Sequence, residues 1–174
     1  KAAARLSSIK SRPLVPALMH PLIDEIYRSR TVEDAAGQKH ALAANVDRLE
    51  GLFLYELIAS DTTIRRTLEV GCAYGLSSLH ICAALQGRDG AHHTILDPFQ
   101  DEYFKGVGVA NLKRAGFDFW ELVPRRSEFA LPALAETQPG SFDFIFIDGW
   151  HTFDHTLLDL FYANRLLRVG GYVV

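Results

Sequence analysis

Residues 68–78 carry the strongest structural signal in the chain, Leu68-Glu69-Val70-Gly71-Cys72-Ala73-Tyr74-Gly75-Leu76-Ser77-Ser78. A short strand with apolar residues is followed by two spaced glycines and then by residues that favour a helix. Glycine adopts backbone conformations that a side chain forbids, and it lets a ligand approach the main chain closely. The first turn of the following helix would present free N–H groups to that ligand. The segment therefore predicts a ligand-binding loop or, in the simpler alternative, a glycine turn that only joins strand to helix.

The residues around this loop favour a positively charged nucleoside ligand over a dinucleotide. A dinucleotide-binding loop has the pattern G-x-G-x-x-G, whereas this chain has Ala73 and Leu76 at the second and third glycine positions. Glu69 stands two residues before the first glycine, where a carboxylate would repel phosphates and attract a cation. A nucleoside that carries an ammonium or sulfonium group therefore fits the loop better than a diphosphate.

Strands and helices alternate along most of the chain. We predict helices at residues 38–59, 76–85, 101–114, 129–136 and 152–167, and strands at residues 67–70, 93–97, 119–123, 142–148 and 171–174. This alternation is typical of right-handed crossovers in an α/β fold with a doubly wound, mostly parallel sheet and helices on both faces. Ligands bind to such sheets outside the carboxyl ends of the strands.

Polar residues follow three of the predicted strands. Asp97 closes the second strand, where it can bond both hydroxyls of a ribose or simply cap the next turn. Asp148 closes the fourth strand and can ligate a hard divalent cation, and His151 can act as a base near neutral pH. A solvated turn and a helix N-cap are the simpler interpretations of these two residues. Ser127 follows the third strand, where it caps a helix or contacts an adenine edge.

The composition indicates one globular domain. The chain has 174 residues, of which 48% are hydrophobic and 22% charged, with a net charge of −3, and a chain of this length can bury a sizeable core. The near-neutral charge argues against a nucleic-acid-binding protein, and no apolar run approaches the ~18 residues of a membrane span. Two cysteines cannot form a disulfide framework or fill a structural zinc site alone. We therefore expect a cytoplasmic protein with buried thiols.

The N-terminal region differs in composition from the rest of the chain. Residues 1–23 are rich in Arg, Ser and Ala and contain no acidic residue, which is typical of an organellar transit peptide. The alternative, which we favour, is a flexible basic arm in which two prolines break any helix. We divide the chain into an N-terminal arm at residues 1–37, partly flexible or forming a lid, and a domain at residues 38–174. Both ends, at Lys1 and at Val174, are interpreted as cuts.

Together, these motifs resemble class I S-adenosylmethionine-dependent methyltransferases, and within them the small-molecule O-methyltransferase-like branch. The first motif of that branch, E-x-G-x-x-x-G-x-S, is matched by Glu69, Gly71, Gly75 and Ser77. The second, D-x-x-F-I-D-G-x-H, is matched by residues 143–151. The resemblance covers roughly residues 40–174 and implies a Rossmann-like α/β fold for the domain at residues 38–174.

The resemblance implies which residues bind S-adenosylmethionine. Glu69 and the backbone of residues 71–75 would hold the methionine part of this cofactor, with Ser77 nearby. That backbone segment includes Ala73 and Tyr74. Asp97 would bind the ribose hydroxyls. The adenine would be bordered by Pro98, Phe99, Ser127 and Glu128, and Trp150 would either cover it or only pack beside it.

The resemblance also implies catalytic roles at the end of the fourth strand. Asp148 matches an Asp that ligates Mg²⁺ or a similar divalent cation in metal-dependent members, and His151 is a candidate base. Such members complete the metal site with residues just after the fifth strand, which would lie beyond Val174 together with the family's last two strands. We therefore expect the cofactor-binding part of a methyltransferase sheet, with an incomplete metal site.

Three functions remain open from the sequence. The first is O-methylation of a small-molecule acceptor, with or without a divalent cation; methylation at nitrogen or carbon also stays open. The second is a protein of the same fold that binds the cofactor without catalysis. The third is an NAD-dependent oxidoreductase, which Ala73 and Leu76 disfavour. As partners we expect the acceptor, no nucleic acid and no membrane, and the N-terminal helical region would form part of a lid or of a homodimer contact.

Overall fold

A computed structural model describes residues 20–174 of the chain. Residues 1–19, which make up most of the predicted basic arm or transit peptide, lie outside the described residues. In chain order the elements are α1 (Pro21–Ser29), β1 (Thr31–Glu33), β2 (Lys39–Ala41), α2 (Arg48–Ser60), β3 (Arg66–Val70), α3 (Leu76–Leu85), β4 (His92–Leu96), α4 (Val107–Arg114), β5 (Trp120–Val123), α5 (Ser127–Thr137), β6 (Phe142–Ile147), α6 (Phe153–Leu166) and β7 (Leu167–Val173). Over residues 20–174 there is no helix with the length and hydropathy of a membrane span.

Strands β3 to β7 form one sheet in the order β5-β4-β3-β6-β7. Every neighbouring pair in this sheet is parallel. The chain moves outward from β3 to β5 and then returns to the other side of β3 with β6. The direction of winding therefore reverses between β3 and β6, which is the kind of position where parallel α/β sheets bind ligands. The predicted α/β fold with a parallel sheet is confirmed, and the further C-terminal strands stay a prediction.

Helices cover both faces of the sheet. Successive strand residues point to opposite faces, so Leu68 and Val70 of β3 pack with Leu131 of α5 and Leu166 of α6. On the other face, apolar residues of α2 and α3 pack against Phe144 of β6. That face also carries the buried polar side chain of Glu69, which matters for the site described below.

The described residues before α2 pack on this domain. Ile23 and Ile26 of α1 are buried in the same cluster as Val32 of β1 and Leu76 of α3. Strands β1 and β2 pair as an antiparallel hairpin, and the predicted boundary at residue 37 falls in the loop between them.

The predicted helix at residues 38–59 is wrong in its first half. Residues 39–41 are strand β2, and α2 begins only at Arg48. The side chain of Asp47 accepts hydrogen bonds from the backbone N–H groups of Leu49 and Glu50, and the Glu50 carboxylate accepts one from the backbone N–H of Asp47. This reciprocal capping box fixes the start of the helix.

Candidate functional site

The loop between β3 and α3 lies where the ends of β3 and β6 meet. Gly71 has φ +88°, and a Cβ atom there would overlap the carbonyl oxygen of Asp148 and lie 2.8 Å from its carbonyl carbon. Gly75, the N-cap of α3, has φ +79°, and a Cβ atom there would lie 3.0 Å from the Cα atom of Gly108. Both glycines are therefore needed for close backbone approach as well as for their positive φ values.

Asp97 fastens this loop to the end of β4. Its Oδ2 atom accepts hydrogen bonds from the backbone N–H groups of Cys72 (3.1 Å) and Ala73 (3.0 Å) and from the side chain of Gln100 (2.8 Å). Its Oδ1 atom accepts one from the backbone N–H of Phe99 at 2.8 Å. Asp97 thus caps its own turn, as the simpler interpretation expected. It also holds the glycine loop, which the sequence analysis did not foresee.

A cavity of about 1280 Å³ opens at the carboxyl ends of the strands. Ligand pockets commonly measure ~300–1,000 Å³, so this cavity is larger than a typical ligand pocket. It brings together most of the predicted site residues: Gly71, Ala73, Ser77, Asp97, Pro98, Phe99, Ser127, Glu128, Asp148, Trp150 and His151. The predicted residues Glu69, Tyr74 and Gly75 are not part of its lining.

Glu69 lies beneath the loop instead of facing the cavity. Its side chain is fully buried, and its Oε2 atom accepts hydrogen bonds from the Ser78 hydroxyl and from Nε2 of His93, the latter at 3.2 Å. Its Oε1 atom is buried and has no hydrogen-bond partner among residues 20–174. Any effect of Glu69 on a ligand therefore passes through this free oxygen or through the loop above it.

Aromatic side chains form one wall of the cavity. The ring of Phe99 lies 5.9 Å from that of Trp150 and 5.1 Å from that of Tyr103, and the Arg126 guanidinium lies 5.8 Å from the Phe99 ring centroid. Trp150 also contacts His155, with 6.1 Å between ring centroids. Flat aromatic faces suit a planar ligand such as a nucleobase. Tyr103, Arg126 and His155 were not among the predicted site residues, because none of them belongs to a recognised motif; His155 lies on α6.

Asp148 and His151 form a loose pair at the mouth of the cavity. The Oδ1 atom of Asp148 lies 3.6 Å from Nε2 of His151, whose side chain is 83% exposed. Partial burial raises the pKa of Asp148 above its ordinary value; the positive charge of His151 opposes this shift, and the carboxylates of Glu69 and Glu50 add to it. His151 is therefore accessible to a molecule bound in the cavity and lies beside a half-buried carboxylate.

The predicted metal site lacks a full set of ligands in the described part of the chain. Residues 20–174 contain no group of three His, Cys, Asp or Glu side chains that could hold a metal ion. Asp148 and His151 would supply two donors, whereas hard divalent cations take about six oxygen ligands. These residues therefore do not fit a divalent cation by themselves, and no step proposed below uses one.

Helix α2 also lines the cavity. Leu49, Glu50 and Phe53 contribute to the lining, and the apolar side chains of Leu49 and Phe53 are exposed. A helix was predicted here without any site residue. In the sequence, Leu49 and Phe53 share the helical apolar pattern of Leu57, which is buried, so no signal distinguished them.

The site combines a glycine loop, an acidic residue after the next strand and a cavity where the winding of a parallel α/β sheet reverses. These features define a class of nucleoside-binding enzymes. The chain belongs to a family within that class: the family model described as a methyltransferase domain matches residues 68–174. No curated protein sequence matches the chain.

Solved structures of O-methyltransferases share this fold. A proposed O-methyltransferase from Klebsiella pneumoniae is 26% identical, with a TM-score of 0.68, and the match covers 98% of this chain and 70% of that one. The O-methyltransferase TomG from Streptomyces achromogenes, in complex with S-adenosylmethionine, is 25% identical, with a TM-score of 0.60 and coverage of 71% and 53%. An O-methyltransferase from Bacillus cereus in complex with S-adenosylhomocysteine is 23% identical, with a TM-score of 0.67 and coverage of 95% and 68%. The chain thus spans between about half and 70% of the length of these proteins.

Proposed function

We propose that this chain is the cofactor-binding domain of an S-adenosylmethionine-dependent methyltransferase that methylates an oxygen of a small molecule. The observation that carries the proposal is the glycine loop of residues 71–75, which follows β3 beside the end of β6 and is held by Asp97. It places backbone N–H groups, carboxylates and an aromatic wall around one cavity. The family match and the cofactor complex of TomG support the same cofactor.

The cofactor would lie across the ends of β3 and β4. Its methionine part would face the loop at residues 71–75, above the buried carboxylate of Glu69. Its ribose would reach Asp97, whose Oδ1 atom accepts only one hydrogen bond among the described residues. Its adenine would lie against Phe99 and Trp150, beside Ser127 and Glu128. The nearby carboxylates favour a sulfonium cation, because opposite charges attract strongly in a partly desolvated cavity.

In the proposed reaction, His151 accepts the proton of the acceptor hydroxyl while Asp148 stabilises the resulting imidazolium. When bound, S-adenosylmethionine would supply the methyl group for the acceptor oxygen and would leave as S-adenosylhomocysteine, while His151 would hold the proton released by the acceptor. The apolar surface of Leu49 and Phe53 would bind the body of the acceptor.

The cofactor assignment is tested by calorimetric titration with S-adenosylhomocysteine and, separately, with NAD. We expect the wild-type protein to bind the first compound and not the second. Asp97→Ala should weaken binding at least ~10-fold, since it removes the anchor of the loop and the ribose acceptor. Asp118→Ala, an exposed aspartate, is the matched control. Binding of NAD alone, or equal affinities of the Asp97 and Asp118 variants, would contradict the proposal.

Catalysis is separated from cofactor binding by an activity assay. Transfer of a labelled methyl group to a panel of small hydroxyl compounds should be measured with added Mg²⁺ and with a chelator. We expect transfer that His151→Ala reduces without changing the affinity for S-adenosylhomocysteine. Tight cofactor binding with no transfer to any acceptor would instead indicate a non-catalytic protein of this fold.

A further inference from the structure

A connected group of polar side chains is buried under the glycine loop. Glu69 and His93 are both fully buried, with 3.2 Å between Oε2 of Glu69 and Nε2 of His93. Nδ1 of His93 lies 2.8 Å from the Thr67 hydroxyl, and the Ser78 hydroxyl of α3 donates to the same Oε2 atom of Glu69. The strand register explains the arrangement, since Thr67 and His93 are direct partners in the β3–β4 ladder.

The donors in this group can be assigned from elementary chemistry. An ionised carboxylate only accepts hydrogen bonds, so Nε2 of His93 carries the proton that points to Glu69. Two donors therefore converge on Oε2 and fix the carboxylate in one orientation. Burying a carboxylate is costly unless it is paired and hydrogen-bonded, and His93 and Ser78 supply the hydrogen bonds at Oε2.

The other carboxylate oxygen of Glu69, Oε1, differs from Oε2 in its hydrogen bonding. This atom is buried and has no hydrogen-bond partner among residues 20–174, although buried polar atoms are nearly always bonded. It belongs to the residue two positions before the loop that lines the cavity. The loop is tied to the same group, because Sγ of Cys72 lies 3.4 Å from Oγ of Ser78. The unbonded acceptor of the group therefore belongs to the residue that leads into the cavity-lining loop.

We propose that His93 is a positioning residue for the cofactor: together with Ser78 it holds Oε2 of Glu69, so that Oε1 receives a hydrogen bond from the amino-acid part of the bound ligand, directly or through one water. This inference rests on the proposed function, because it assumes that the ligand is the nucleoside sulfonium or its demethylated product. Beyond the proposed function, it assigns a role to His93, which lies outside the cavity, in binding the amino-acid part of the ligand.

The test compares two ligands that share an adenosine and a sulfur but differ in the amino-acid part, S-adenosylhomocysteine and 5′-methylthioadenosine. His93→Leu should weaken the first ligand at least ~10-fold and change the affinity for the second by less than about 2-fold. His93→Gln, which keeps a side-chain N–H donor, should recover the affinity for S-adenosylhomocysteine. A purely structural role of His93 would weaken both ligands alike, and that result would overturn the proposal, as would unchanged affinity for both.

Thr94→Val is the matched control, because Thr94 is the adjacent buried residue of β4 and bonds to Glu121 on the opposite face of the sheet. It should leave both affinities unchanged. If His93→Leu does not fold, Ser78→Ala is tested instead, because it removes the other donor to Oε2. A loss of affinity for S-adenosylhomocysteine alone supports the proposal, whereas an equal loss of affinity for both ligands overturns it. A wild-type protein that binds neither ligand would overturn the proposed function itself, and this role of His93 with it.

Discussion

Replacing Gly71 by alanine should be among the most destabilising single-methyl changes in the domain. The added Cβ atom would overlap the carbonyl oxygen of Asp148 and lie 3.0 Å from the Cα atom of Gly149. Both contacts are backbone atoms at the end of β6, which cannot rotate away. The ends of β3 and β6 must separate, which weakens the hydrogen bond from the backbone N–H of Asp148 to the carbonyl of Val70, now 2.9 Å.

The magnitude follows from comparison with Gly87→Ala. Gly87 has φ +78°, close to the +88° of Gly71, but a Cβ atom there would meet nothing within 4 Å, so the backbone strain is common to both variants. Overpacking costs ~1–3 kcal/mol and the weakened hydrogen bond ~0.5–1.5 kcal/mol. Gly71→Ala should therefore lower the free energy of unfolding by about 1.5–4.5 kcal/mol more than Gly87→Ala. Urea denaturation measures the difference, and equal midpoints and slopes for the two variants would refute the argument.

Three further outcomes are expected. Burial raises the pKa of Asp143, but hydrogen bonds from the backbone N–H groups of Arg66 and Arg65 and the ion pair with Arg168 outweigh it and hold the pKa below its ordinary value of 3.8. Wild-type stability should thus fall as the pH drops below that value. Asp143→Ala should lower the free energy of unfolding by ~1–3 kcal/mol at pH 7 and should reduce the further loss of stability at acidic pH, measured by urea denaturation. The same acid-dependent loss in the variant and the wild type would contradict this. Asp47→Ala removes the cap of α2 and should cost ~1 kcal/mol, measured by thermal unfolding, whereas no loss would show that the capping box is dispensable. Trp150→Ala should weaken S-adenosylhomocysteine ~5–10-fold in calorimetry by removing one aromatic face, and an unchanged affinity would place the adenine elsewhere.

The central part of the fold was predictable because its signals are local. The strand, glycine loop and helix at residues 67–85 follow from glycine spacing and apolar alternation, and the structure has β3 and α3 within a residue of the prediction. Helix α2 was predicted too long, because the apolar spacing of Leu42 and Val46 continues the helical pattern of residues 49–57. The capping box at Asp47 was present in the sequence and should have outweighed that spacing.

The details of the candidate site were less predictable because they depend on strand register. Glu69 looked like a residue facing the ligand, but its side chain lies under the loop because His93 on β4 is placed to bond it. Asp97 was correctly predicted at the carboxyl edge of the sheet. Its hydrogen bonds to Cys72 and Ala73, which lie 25 and 24 residues earlier in the chain, were not predicted. Asp159 on α6 is buried, although its sequence neighbourhood gives no sign of this, and burial raises its pKa. Contacts of this kind exist only once the elements have packed.

The most direct measurement of the central claim is a crystal structure of the protein with S-adenosylhomocysteine. We expect the ligand to lie across the ends of β3 and β4, with its adenine against Phe99 and Trp150, its ribose bonded to Asp97 and its amino-acid part over residues 71–75. A ligand bound elsewhere, or a cavity that stays without ligand at saturating concentration, would contradict it.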